Sequence, residues 1–146
     1  MTYKEIQGDL FKEGKEKCLA HCISADFGMG KGIVVEFNRI FNMKQLLVSK
    51  YHNYLAHWDT NPTGTCIYEE PVFNLITKRN YWNKPTYDTL RASLLAMKQI
   101  MINRGIHEVC MPFIGCGLDG LQWDIVKLII IEVFEDTDFT INVYYL

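Results

Sequence analysis

The stretch Met111 to Trp123, MPFIGCGLDGLQW, constrains this chain more than any other. A short apolar run, Val109 to Met111, reads as a strand before it, and an apolar helical run begins near Trp123. Between the two stand Gly115, Gly117 and Gly120. A strand, a glycine-rich turn and a helix bring backbone N–H groups close to a phosphate, because glycine has no Cβ to hold the ligand away. Asp119 lies inside that turn, where its charge would repel a phosphate. Its carboxylate is therefore assigned to a sugar hydroxyl or a reacting bond.

Several classes of protein are disfavoured by simpler features. At 146 residues the expectation is one domain, residues 1–146, long enough to bury about two-thirds of the surface its unfolded chain exposes. No apolar run approaches the ~20 residues of a membrane span, since Leu128 to Ile131 is bounded by Lys127 and Glu132. No membrane partner is expected. The first residues, MTYKEIQGDLFKEGKEK, contain no apolar core of a signal peptide, and the five cysteines are odd in number with no C-x-x-C spacing. Reduced thiols and an intracellular location, cytosol or nucleus, are the corresponding expectation. Cys18, His21 and Cys22 lack metal-ligand spacing, so neither metal nor cofactor is expected. A net charge of −2 argues against a protein that lives on the nucleic-acid backbone. A small anion held by helix N-termini and backbone amides remains compatible with it.

Apolar segments alternate with glycine punctuation, the pattern of a mixed α/β domain. Strands are expected at Tyr3–Gln7, Lys17–Ile23, Thr65–Tyr68, Val72–Thr77, Glu108–Met111 and Thr140–Leu146. Ile33, Val34, Phe37, Ile40 and Phe41 have helical spacing, with a second short helix over Asn42–Lys50, and His52–Thr65 reads as a surface loop. Tyr87–Arg104 is the clearest helix: Thr86 can N-cap it, Gly105 can end it, and Tyr87, Leu90, Leu94, Met97 and Met101 form one apolar stripe. Trp123–Phe134 has only a narrow polar stripe, which predicts cover on more than one side. His21, in an apolar strand, reads as a hydrogen-bonded core residue, and His52, His57 and His107 as surface residues.

In an open α/β sheet, ligands bind at the carboxyl ends of strands, and three polar loops follow such ends. They are Ser24 to Gly32, Thr77 to Asn80 and Phe113 to Asp119. Spacing alone does not make any of them a site, because glycines at a strand-to-helix turn usually serve only the turn. The blocks GDLF (Gly8–Phe11), LAHCISADFGMGKGI (Leu19–Ile33), LITK (Leu75–Lys78), KPTY (Lys84–Tyr87) and IGCGLDGLQW (Ile114–Trp123), with a VYYL chain end, occur in one order. Together they resemble the macrodomain family, and within it the terminal ADP-ribose protein glycohydrolase branch. The resemblance runs from about Tyr3 to the last residue.

That resemblance implies a three-layer α/β/α sandwich with a mixed central sheet and a cleft for ADP-ribose. It assigns Asp9 to the adenine amino group, with the Leu10 backbone beside it and Leu146 near the adenine end. Gly30, Gly32 and Ile33, together with Phe113, Ile114, Gly115, Cys116, Gly117 and Leu118, would close around the diphosphate and distal ribose. Ser24, Thr77 and Pro112 complete the implied substrate-binding set. Lys78 would be the nucleophile and Asp119 the acid/base partner. Three departures stand out: Gly28 and Lys31 replace other residues, and Phe113 takes a position that is basic in close relatives. Phe113 either weakens contact with the ligand's polar end or stacks on adenine or ribose.

An amine can attack at or near an anomeric carbon and leave a covalent lysyl–sugar intermediate. It must first lose its proton, and Arg79, next in sequence, is a cation that would favour this if it faced the same side. Asp119 would move the proton that opens the sugar and releases the intermediate. Cys116 is disfavoured as nucleophile because no histidine lies within a few residues. The implied activity is hydrolysis of the ADP-ribose ester to glutamate or aspartate, with deacylation of O-acetyl-ADP-ribose beside it. The implied partners are ADP-ribose or an ADP-ribosylated protein, and the expected state is a monomer. Two alternatives stay open: a non-catalytic ADP-ribose reader, and a hydrolase acting on ADP-ribosylated nucleic acid through a basic patch at Lys78, Arg79 and Lys84.

Overall fold

Two mostly apolar strands, LAHCIS and VFNLITK, lie side by side within the sheet. The computed structural model describes residues Met1 to Leu146. In chain order it contains β1 (Thr2–Gln7), α1 (Leu10–Glu13), β2 (Leu19–Ser24), α2 (Val34–Phe41), α3 (Met43–Lys50), α4 (Tyr54–Thr60), β3 (Thr65–Glu69), β4 (Val72–Lys78), α5 (Tyr87–Arg104), β5 (Glu108–Met111), α6 (Trp123–Phe134) and β6 (Thr140–Tyr145). The strands form one sheet in the order β1-β6-β5-β2-β4-β3, parallel throughout except for β3, which runs antiparallel at one edge. Every residue of β4 except Lys78 is buried, as a parallel strand covered on both faces requires.

Side-chain alternation divides the core between the two faces. Phe73, Leu75, Val109, Met111, Ile141 and Val143 pack against α5 and α6. Val72, Ile76, Leu19, Ile23 and Cys110 pack against residues from α1 to α4, including Leu10, Phe37, Leu47 and Trp58. The result is the expected α/β/α sandwich with a mixed sheet. α5 carries the expected stripe, with Leu90, Leu94, Met97 and Met101 fully buried. Its N-terminus is a capping box in which Thr86 and Thr89 each accept from the other's backbone N–H, and Gly105 ends it at φ 67°.

Two expectations are corrected. The span His52–Thr65 is not all loop, because α4 occupies Tyr54–Thr60. Seven residues are too few to show a helical period, and the helix is held by burial of Trp58 rather than by its own sequence. α6 is not covered on several sides: Ile125 and Leu128 are exposed. The narrow polar stripe describes the helix's composition, not the number of its neighbours.

His21 is the hydrogen-bonded core residue expected. It is fully buried, stacks on Phe37 with centroids 3.9 Å apart, and shares its Nε2 proton with Asn74 Oδ1 at 2.6 Å. Burial lowers its pKa from 6.5 to about 4, against the opposing bond to Asn74. Between those values the unfolded chain takes up a proton that the folded chain does not, so stability falls as pH falls. Urea unfolding should therefore show the wild type losing about 2 kcal/mol more than His21→Gln between pH 7 and pH 5. Equal losses would assign the acid sensitivity to other groups.

Gly64, near the end of the span expected to be loop, serves close packing. A Cβ there would lie 1.8 Å from the Thr89 carbonyl oxygen in the first turn of α5. Gly64→Ala should destabilise the fold by about 3 kcal/mol in denaturant titration, because backbone rather than a side chain must move.

Candidate active site

The strands β5, β2 and β4 are neighbours and parallel, so the loops leaving their carboxyl ends converge on one side of the sheet. They enclose a cleft of about 900 Å³, within the range of small-molecule sites. Its walls are the end of β2, the Gly28–Val34 segment, Lys78 at the end of β4, Tyr81, Trp82 and Lys84, and the Pro112–Asp119 loop. Ser24, Gly30, Gly32 and Ile33 line it, as do Pro112, Phe113, Ile114, Gly115, Cys116, Gly117 and Leu118.

Lys78 and Asp119, 41 residues apart in sequence, meet at the base. Lys78 Nζ donates to Asp119 Oδ1 at 2.7 Å, and the side chains are only 13% and 17% exposed. A register slip places the lysine: β2 pairs Ile23 with Ile76 but Ser24 with Lys78, leaving Thr77 as an extra residue. Asp119 ends a short 3-10 turn, Gly117–Asp119, that interrupts the glycine loop.

Four expected site residues fall outside this cleft. Thr77 is buried beneath it, and its hydroxyl has no protein partner. Asp9 caps α1, accepting from the Phe11 N–H at 3.0 Å, and Leu10 is buried behind it. Leu146 is 93% exposed past the end of β6. Asp9, Leu10 and Leu146 nevertheless share one end of the molecule, because Gln7 and Tyr145 are register partners. Phe113 points the cleft toward that end, stacking on Trp123 at 4.4 Å and on Tyr145 at 5.9 Å.

Arg79 does not assist Lys78. Its guanidinium is drawn away by a two-pronged contact with Asp59 of α4, at 2.7 and 2.8 Å. The cations that do line the cleft, Lys31, Lys44 and Lys84, are exposed and have no carboxylate partner. Lys84 Nζ donates to the Leu118 carbonyl and so ties the aromatic segment to the glycine loop. Tyr81 and Trp82 form an exposed edge-to-face pair at 5.0 Å on the cleft wall. Gly28 makes room for them: a Cβ there would meet Tyr81 Cβ at 2.9 Å.

Neither cleft thiol is poised to react. Burial, and then the negative charge of Asp119, push the Cys22 and Cys116 thiols up. No three His, Cys, Asp or Glu side chains converge as metal ligands would.

Sequence reading missed Asp26, which joins two walls of the cleft. Its carboxylate accepts from Ser24 Oγ at 2.5 Å, the Gly28 N–H at 2.9 Å and the Tyr81 N–H at 3.0 Å. Burial raises its pKa, but these bonds outweigh burial and hold the carboxyl below its ordinary value. Asp26→Ala should cost about 1–3 kcal/mol by leaving half-buried donors unpaired. It should also speed hydrogen exchange at both Gly28 and Tyr81; acceleration at Gly28 alone would show that the loops are not coupled.

No protein-family model matches the chain. It is 44% identical over 146 residues to the ADP-ribose glycohydrolase OARD1 of Homo sapiens, covering 100% of this chain and 91% of the relative. Its fold is similar to the macrodomain of Mycobacterium tuberculosis DarG, with a TM-score of 0.80, 19% identity, and 99% of this chain and 98% of that one covered. It is also similar to Thermosipho africanus DarTG in complex with ADP-ribose, with a TM-score of 0.74 and 18% identity, covering 99% of this chain and 41% of that one.

Proposed function

The chain belongs to the macrodomain family, in its ADP-ribose glycohydrolase branch, and from that membership we propose that it binds ADP-ribose and hydrolyses its ester link to glutamate and aspartate side chains. The observation that carries this reading is the shielded Lys78–Asp119 pair at the base of the cleft. A reader that only holds ADP-ribose needs neither residue, and a largely buried ion pair is a weak contributor to stability.

In this reading the glycine loops cradle the diphosphate with backbone N–H groups and set the distal ribose over Lys78. An ammonium does not attack, so Lys78 first passes a proton to Asp119, the base within hydrogen-bond reach. The neutral amine then bonds to the anomeric carbon as the ester oxygen departs with the carboxylate. Asp119 gives that proton to the departing carboxylate; ionised again, it takes a proton from water as the hydroxide equivalent replaces nitrogen at that carbon, and returns it to the lysine amine that leaves. O-acetyl-ADP-ribose, another ester of the same ribose, would be deacylated at the same site.

A second reading, ADP-ribose carried on nucleic acid, is favoured by the cleft rim. Lys31, Lys44 and Lys84 have no carboxylate partner there, and Tyr81 and Trp82 are exposed beside them. Cations interleaved with aromatic rings suit a single strand.

Release of free ADP-ribose from a glutamate-ADP-ribosylated protein and from ADP-ribosylated single-stranded DNA tests these readings. Lys78→Ala and Asp119→Ala should each slow release from the protein by at least about 100-fold. ADP-ribose at ~100 times its dissociation constant should still stabilise both variants by about 2.7 kcal/mol. Wild-type release by Lys78→Ala would remove the lysine from the mechanism. Binding without release by the wild type would select the reader.

A further inference from the structure

A second groove lies along the free edge of the sheet, and the chemistry of the cleft does not use it. β3 pairs only with β4, so alternate residues turn backbone N–H and C=O groups outward with no strand to receive them. A cavity of about 580 Å³ opens there, floored by Thr65 to Tyr68. One wall is the α3–α4 corner, with Tyr51, His52, Tyr54 and His57; the other is the end of α5, with Ile100 and Arg104.

The charge of this groove is one-sided. It is lined by a guanidinium and two imidazoles, and by no aspartate or glutamate. Arg39, Arg79 and Arg91 are each held by a carboxylate. Arg104 is not; it lies over the Tyr68 ring, 5.0 Å from the centroid. Glu69 and Glu70 lie beyond the lining, and Glu69 is already paired with Lys50 at 2.6 Å.

We propose that this groove binds an extended acidic peptide segment of a partner protein, which adds to the sheet as a further strand beside β3. An added strand sends successive side chains to opposite faces. On one face they meet Tyr68 and Arg104, and on the other Tyr54 and His57. Carboxylates fit Arg104 and the histidines, and apolar side chains fit between the tyrosine rings. A second copy of this chain is a poor occupant, because its matching groove would bring another Arg104 and no lining carboxylate to answer the unpaired guanidinium. The proposal does not depend on the cleft's chemistry.

Fluorescence anisotropy tests it with a labelled ten-residue peptide of the repeat Glu-Glu-Val-Val, which sets both residue types on each face, at saturating ADP-ribose so that the cleft is filled. The peptide should bind the wild type, and Arg104→Glu should weaken binding by at least about tenfold. The same peptide N-methylated at alternate residues should be weakened as strongly, since it cannot complete a strand ladder. Hydrogen exchange should slow within Thr65–Glu69 when the parent peptide binds. No binding by the parent peptide would overturn the proposal, as would binding indifferent to N-methylation or to Arg104→Glu. So would a wild type that sediments as a dimer and an Arg104→Glu variant that sediments as a monomer.

Discussion

The parallel pairing of β2 with β4 is the interaction on which the rest of the site depends. It buries His21 against Asn74 in mid-strand and ends by setting Ser24 opposite Lys78. The ladder then continues past both strands, with the Ala25 N–H on the Lys78 carbonyl at 2.8 Å and the Asp26 N–H on the Arg79 carbonyl at 3.0 Å. The two loops therefore leave the sheet already joined, and the Asp26 carboxylate fastens them a second time at Gly28 and Tyr81. An antiparallel pairing would have sent these loops to opposite ends of the sheet. Parallel strands need long crossovers, and those crossovers are the helices that cover both faces.

Lys78 is thus fixed from two directions. The backbone register delivers it to the cleft floor, and Asp119 arrives from a loop behind β5. Burying two charges costs several kcal/mol per ion, and their attraction repays this only with good geometry. At 2.7 Å the geometry is good, yet an apolar pair of the same volume would hold the loops as well. Packing gives no reason for charges at this spot. The hydrolytic chemistry proposed for the cleft gives one.

Sequence legibility followed the range of the forces involved. β4 and α5 were readable because an apolar run, a threonine cap and a terminal glycine are local signals. α4 was not, since it stands on tertiary burial of Trp58. The convergence of Lys78 and Asp119 came from resemblance to known sequences; neither residue carries a neighbouring mark that points to the other. Asp26 escaped notice for a similar reason: two of its partners, Asn80 and Tyr81, lie 54 and 55 residues away. Arg79 looked like an ally of Lys78 from adjacency, but Asp59, 20 residues upstream, competes for it and wins. Arg79 lies in the bend just past the end of β4, so adjacency to Lys78 was the weaker guide.

Charge shows the same limit in another form. A net charge of −2 describes the whole chain, and it says nothing about where the charges stand. Within the cleft, Lys78 and Asp119 cancel, which leaves Lys31, Lys44 and Lys84 as an uncompensated trio around the lining. The acids that balance the total are spent elsewhere, as with Glu36 on Arg39, Glu132 on Arg91 and Asp136 on Lys98. A mildly acidic protein therefore presents a positive mouth to its ligand. Low-dielectric walls focus such a field, so an anion is drawn to the cleft by distribution where the total would repel it. For the ADP-ribose proposed above as ligand, whose diphosphate carries about two negative charges, those three ammonium groups would leave a positive surplus for the group attached to the ribose.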